Sequence, residues 1–316
     1  MHEGSQRAVV AAFLANLGIA AAKLVAFFFT GAASMLAESV HSLADTGNQA
    51  LLLLGARRAR LAPTAEHPFG FARERYFWGF VVALVLFSLG AVFAVAEGIE
   101  KLLDPHELSS TGWALAVLGV AIVLESVSLR TAVHESRAVR GGEGWWRFIR
   151  HTKTPELPVV LLEDVGALIG LLFAAVGVGM ALATGNPRWD ALGSVAIGML
   201  LGVIAVILAI EMKSLLIGES ASPATVAEIR EALVSQRGVT HVIHLRTVHL
   251  GPDDLLVAAK VGFEPELTLQ TVADLVNAIE RELRSRVPTA RLVFIEPDVY
   301  RAERAAAAPS GHGFFP

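Results

Sequence analysis

Residues 36–55, LAESVHSLADTGNQALLLLG, place Glu38, His41, Asp45, Asn48 and Gln49 in a run that is otherwise apolar. A helix advances about 100° per residue, so His41 and Asp45, four apart, share a face. Glu38 lies three residues before the histidine and Asn48 three after the aspartate, which extends the same polar stripe. A second run, PELPVVLLEDVGALIGLLFAAVGVG, holds two adjacent acids, Glu163 and Asp164. An imidazole and a carboxylate at this spacing are a good pair of ligands for a divalent metal. Two carboxylates in hydrocarbon stay protonated or are expelled unless a cation neutralises them. Plainer structural roles compete: a lone intramembrane histidine as a hydrogen-bonded core residue, an isolated glutamate as a protonated interhelical bond. Two acid-bearing segments together with a His/Asp pair favour a cation pathway.

The elements that must hold these groups are membrane helices. The 316-residue chain is 54% hydrophobic and only 18% charged, with mean hydropathy +0.56, which is rare for a soluble protein of this size. A bilayer span needs roughly 20 mainly apolar residues. Six stretches qualify, at about 8–30, 34–56, 77–100, 112–133, 157–184 and 190–213, so the two polar clusters fall in the second and fifth. Arg57, Arg58, Arg60, Arg73 and Arg75 follow the second span; Arg130, Arg137, Arg140, Arg147, Arg150 and Lys153 follow the fourth. The alternate loops are nearly free of basic residues, so both Arg-rich loops and both termini are expected in the cytoplasm. Lys23, Glu97 and Glu125 read as snorkelling, paired or interfacial groups.

The absence of cysteine excludes disulfides and thiolate metal sites, and a net charge of −4 offers no basic face for nucleic acid. No cleavable targeting segment is expected, because the first apolar stretch is too long for a signal-peptide core. The Arg- and Ala-rich composition fits a bacterial plasma (inner) membrane protein.

Beyond residue 214 the pattern changes. SPATVAEIREALVSQRG reads as a helix with Ser222 as N-cap, Pro223 in its first turn and Gly238 at its end. VTHVIHLRTVHLG and LLVAAKVGF alternate as strands around the turn PDD, TLQTVADLVNAIERELRSRV forms a second helix, and ARLVFIEP a third strand. The expected architecture is an α-helical membrane protein: six transmembrane helices over 1–214, a small cytoplasmic α+β (αββαβ) domain over 215–298, and a flexible tail over 299–316.

AESVHSLADTGNQ, the acid pair in the fifth span, HPFGFARERY between the second and third, and the C-terminal α-β-β-α-β order together resemble the cation diffusion facilitator (cation efflux) family of divalent-metal/proton antiporters. HSLADTGNQALLLLG and VVLLEDVGAL look closest to the branch with the eukaryotic mitochondrial zinc transporter. The resemblance implies a tetrahedral site with two ligands from the second span and two from the fifth. Carried over, these are His41, Asp45 and Asp164, while the usual fourth position falls on Val160, which cannot ligate. The fourth ligand stays open among Glu163, Glu38, Asn48 and water. Glu163 ranks first, yet it lies about 100° around the helix from Asp164 and reaches only if the fifth span is distorted or rotated.

The resemblance also implies a homodimer and further cytoplasmic metal positions. One retains His67 but has Phe71 where a histidine is usual; the C-terminal positions fall on Ile243, Lys260 and Phe294, with only Glu296 acidic. Dimerisation without structural zinc is therefore expected. Simple alternation sends His244 to the sheet face opposite His241 and His249, all three as solvated strand residues. Arg73 or Arg75 could interlock with Glu219 at the cytoplasmic junction.

These features point to export of a divalent transition metal, Zn²⁺ first, in exchange for protons, with no prosthetic group. Its partners are the bilayer, the metal ion and a second copy of the chain, and no nucleic acid. Imidazole with carboxylates suits Zn²⁺ and also Co²⁺, Fe²⁺ or Ni²⁺, whereas an all-oxygen site favours Mn²⁺. A membrane metal sensor and an intramembrane enzyme are the rival classes. The enzyme lacks any nucleophile motif or H-E-x-x-H signature, and the chain is not expected to be an enzyme.

Overall fold

The computed structural model describes residues 33–105 and 111–300 and single residues between Val10 and Val25. Glu38, His41 and Asp45 are described as helical positions; their side chains, and Lys23, lie outside the described residues. The chain forms two compact units, Met1–Leu216 and Ile217–Pro316.

In the first unit, α1 spans Ala33–Arg58 and carries the whole polar stripe on 26 residues of unbroken helix. α2 (Glu74–Val81) widens into a π-helical turn over Val82–Phe87 and continues as α3 (Ser88–Leu103). α4 covers Thr111–Arg140, a short α5 Trp145–His151, α6 Glu156–Thr184 and α7 Arg188–Ile217. Among the described residues, three helices are long and apolar enough to cross a membrane: Glu74–Leu103, Glu156–Thr184 and Arg188–Ile217. α1 has the length, and its polar stripe dilutes its apolarity.

The fourth predicted span is extended by the structure. α4 runs on through Arg130, Arg137 and Arg140, and Arg147 and Arg150 sit on α5, so most of the basic segment expected as loop is helical. Its 30 residues reach about 45 Å at the usual rise, well beyond a hydrocarbon core of roughly 30 Å. Hydropathy marks where lipid ends. Helix propensity, with no Gly or Pro between Ala121 and Arg140, decides where the helix ends.

The core that fixes α1 against α6 is made of Leu52, the π-turn residues Val82, Ala83 and Phe87, Val159, and Ile204, Ala205 and Leu208 of α7. α7 also approaches α3 closely at paired glycines. A Cβ on Gly198 would lie 2.8 Å from the Ala91 carbonyl oxygen, and one on Gly98 2.9 Å from that of Ala191. Such small-residue contacts let membrane helices pack backbone to backbone, where no hydrophobic effect drives them together.

The second unit contains α8 (Pro223–Leu233), β1 (Val239–Gly251), β2 (Asp254–Phe263), α9 (Leu269–Arg286) and β3 (Leu292–Asp298). It is an α+β domain of the expected αββαβ order. Ser222 caps α8 by accepting from the Thr225 N–H, as its residue type suggests. α8 stops at Leu233, earlier than the sequence pattern implies, and Gly238 serves instead in the turn into β1 with φ +97°. The sheet order is β1-β2-β3, with β2 antiparallel to β1 and parallel to β3. Leu255, Val257, Ala259, Val261 and Phe263 alternate along the central strand into one core with Ile229, Leu233, Ile279 and Leu283 of the helices. The other face of the sheet carries Lys260 and the residues that flank it.

One expectation about that face is corrected. The register shifts between Val242 and His244, so His241 pairs with Gly262 and His244 with Lys260. Paired residues of neighbouring strands project to the same side. His241 and His244 therefore share the open face, while His249, opposite Leu255, turns to the core side and is 8% exposed. A β-bulge inserts one unpaired residue and reverses the alternation beyond it.

Candidate metal centre

Glu163 and Asp164 lie about two turns into an unbroken α6 and turn to different neighbours. Asn48 Nδ2 on α1 donates to Glu163 Oε1 at 3.0 Å. Ser128 Oγ on α4 donates to Asp164 Oδ2 at 3.0 Å. Glu163 thus faces α1 without a break in the fifth span; the helix is rotated so that the acid pair straddles the crevice between α1 and α4. Asp164 is 7% exposed and Asn48 6%, while their partners Ser128 and Glu163 are half-buried. Val160, where the family pattern expects a ligand, packs among apolar residues instead.

Of the predicted site residues, Asn48 and Glu163 are brought together, and Asp164 is held from a third helix. His41 and Asp45 belong to the same α1 helix seven and three residues before Asn48, with their side chains outside the described residues. Among the described residues no three His, Asp or Glu side chains cluster as a metal site. Two polar contacts were not anticipated. Ser128 is one. The other is Gln49, which accepts from Asn16 Nδ2 at 3.3 Å and is 2% exposed, a link between the first and second spans.

At the Arg-rich ends of these helices, Arg75 forms a two-pronged bond to Glu156, Nε to Oε1 at 2.6 Å and Nη2 to Oε2 at 2.8 Å. This ties α2 to the start of α6. Arg150 on α5 lies 3.5 Å from buried Glu211 on α7. Arg73 is exposed. Glu219 accepts through its backbone from the His249 N–H at 2.8 Å within the second unit. His67 shapes its loop: its N–H donates to Thr64 Oγ1 at 3.0 Å, and its ring meets Phe71 edge-on at 4.7 Å.

On the open face of the C-terminal sheet, Lys260 bonds Glu296 at 2.9 Å and Asp298 at 3.1 Å. An ammonium ion thus occupies the carboxylates there. The hydrogen bond to Glu296, then that to Asp298, raises the Lys260 pKa above its usual value. A raised lysine pKa adds stability that is complete below the unfolded value of about 10.4 and is lost as pH climbs through the folded value. The pair is open to solvent, so salt weakens it. Lys260→Gln is expected to flatten the alkaline loss of stability in the C-terminal unit, followed by hydrogen exchange between pH 9 and 12 at low salt (the range is set by that reference value, ~10.4). An unchanged slope would remove Lys260 from this role.

Family comparison agrees with this architecture. The cation efflux transmembrane domain matches residues 9–217, and the cation efflux protein cytoplasmic domain matches residues 221–300. The chain belongs to the cation efflux family, a family of multi-pass membrane transporters. It is 35% identical to the mouse "Proton-coupled zinc antiporter SLC30A9, mitochondrial" over 77% of this chain and 43% of that protein. It is 30% identical to Arabidopsis thaliana "Metal tolerance protein C4" over 84% of this chain and 59% of that protein. It is 23% identical to "Cation-efflux pump FieF" of Pectobacterium atrosepticum over 92% of each. The chain spans less than half the length of the mouse relative.

Proposed function

We propose that this chain exports a divalent transition metal, Zn²⁺ first, in exchange for protons, as a homodimer. The observation that carries the reading is the pair of adjacent carboxylates on α6, Asp164 buried and Glu163 half-buried, each hydrogen-bonded to a polar group of a different helix. Two adjacent acids within an apolar bundle are stabilised when a dication visits them. The His41/Asp45 face of α1 supplies the rest of the site, with Glu38 lining its approach. On this reading the centre lies between the second and fifth of six spans, supported by the Asn48–Glu163 bond, and both termini lie in the cytoplasm of a plasma membrane. Zinc is favoured because one ligand is an imidazole, and because a similar protein is named a zinc antiporter.

The exchange follows from competition for the same lone pairs. Metal binds deprotonated imidazole and carboxylate, so loading from one side releases protons and protonation from the other side releases metal. An imidazole, which titrates near pH 6.5 in the absence of other influences, is suited to this exchange.

The test is metal-dependent proton flux in proteoliposomes under an imposed pH gradient, with a panel of divalent ions. Zn²⁺ uptake coupled to proton release is expected, with its rate falling at least tenfold (an outer-shell change alone costs about 10–100-fold) in His41→Ala and Asp45→Ala. If both variants move Zn²⁺ like the parent, the assignment is wrong.

A further inference from the structure

We infer that Asn48 is a ligand of the transported ion through its amide oxygen, and that it tunes the site toward oxygen-preferring metals. The inference rests on the transport reading above and deepens it. A carboxylate only accepts, so the NH₂ end of Asn48 must face Glu163, which it does at 3.0 Å. The carbonyl end therefore points to the other side of the amide. That oxygen is buried and has no hydrogen-bond donor among the described residues. Asn48 itself is 6% exposed. A buried acceptor left without a donor is costly, and a bound cation relieves that cost as a donor would.

Asn48 continues a stripe of α1 residues whose types can hold a cation. One turn earlier stands Asp45 and one turn before that His41. A buried amide oxygen without a donor is an acceptor that a cation satisfies. An amide carbonyl is a hard, neutral ligand of the kind used for Mn²⁺, Mg²⁺ and Ca²⁺. Being neutral, it takes up no proton when the metal leaves, so it adds affinity without adding to the proton exchange. The same amide grips Glu163 with its nitrogen, so metal arrival on α1 is felt directly by the carboxylate on α6. Asn48 thus moves the ligand set away from the nitrogen-rich chemistry that most favours Zn²⁺.

The test compares the full-length parent with Asn48→Ala and Asn48→His, using Zn²⁺ and Mn²⁺ separately. Binding is measured by calorimetry in detergent, and transport in proteoliposomes under a pH gradient. Asn48→Ala is expected to weaken Mn²⁺ about tenfold more than Zn²⁺, and Asn48→His to swing the ratio further toward Zn²⁺. A clamp that merely orients Glu163 predicts equal losses for both ions in Asn48→Ala and no swing in Asn48→His; that pattern overturns the inference. If Asn48→Ala fails to fold, the Asn48→His ratio decides alone. A changed binding ratio without pH-driven transport in the parent leaves Asn48 as a ligand and sinks the transport reading. Transport with an unchanged ratio does the reverse, and neither binding nor transport in the parent sinks both.

Discussion

Glu156→Ala destabilises the membrane unit by roughly 3–5 kcal/mol, the expected penalty for breaking a buried ion pair by removing one partner. Glu156 is 3% exposed and Arg75 8%. Both prongs of the guanidinium are engaged, at 2.6 and 2.8 Å, so no second orientation of the arginine keeps both bonds. Much of the loss comes from the survivor, a buried guanidinium that has lost both of its bonds to Glu156. Tyr76, the residue after Arg75, packs with Met212 and Leu215 in a buried apolar cluster, and a Cβ on Gly79 would meet Met212 and Pro155. Arg75→Lys should lose a smaller but measurable part of it, because an ammonium keeps the counter-charge but cannot make the paired contact. The double variant Arg75→Met with Glu156→Leu should recover most of it, since replacing both charges by apolar groups of similar size is often neutral. Thermal unfolding in detergent across the set is the measurement. A stable Arg75→Lys protein would show that the two-pronged geometry is unimportant.

The same pair positions the acids. Glu156 opens α6, and Glu163 follows seven residues later on the same helix, about 10 Å along its axis. Holding the first turn of α6 against α2 sets the rotation that sends Glu163 to α1 and Asp164 to α4. Surviving Glu156 variants should therefore also transport poorly.

Why the sequence pointed to some of this and not the rest follows from what each signal measures. The strand Leu255 to Phe263 was legible because every second residue is apolar and the register there is regular. The faces of His241 and His244 were not, because a bulge leaves no trace in a period-two pattern. The acid pair was legible as an anomaly, but not the rotation of α6, which depends on helix packing. Arg75 and Glu156 are 81 residues apart. An acid in the first turn of a helix reads equally well as a partner of the helix dipole, and the sequence pairs Arg75 more naturally with Glu219. Ser128 was hidden for a different reason. Hydroxyls on apolar helices usually bond back to their own turn. Ser126 does so to the Ile122 carbonyl at 2.6 Å and Thr131 to that of Val127 at 3.1 Å. Ser128 departs from its neighbours only because Asp164 lies across from it.

That departure separates a ligand from its support. Asp164→Asn keeps size and shape but removes a negative charge, so Ser128 can still meet an oxygen while the dication loses a counter-charge where little water screens it. Metal-driven proton flux should fall by more than the roughly 10–100-fold that loss of an outer-shell contact costs. Ser128→Ala leaves the charge and frees the carboxylate to turn, so its loss should stay inside that 10–100-fold range and appear mainly as a higher half-saturating metal concentration. Ser128→Thr, which keeps the hydroxyl, should restore most of it. Ser126→Ala is the matched control, because its hydroxyl serves only its own helix and is exposed. Flux measured in proteoliposomes over a range of Zn²⁺ concentrations orders the four variants. Equal losses for Ser126→Ala and Ser128→Ala would mean that α4 does not position the acid. Undiminished flux in Asp164→Asn would mean that Glu163 alone carries the α6 side of the site.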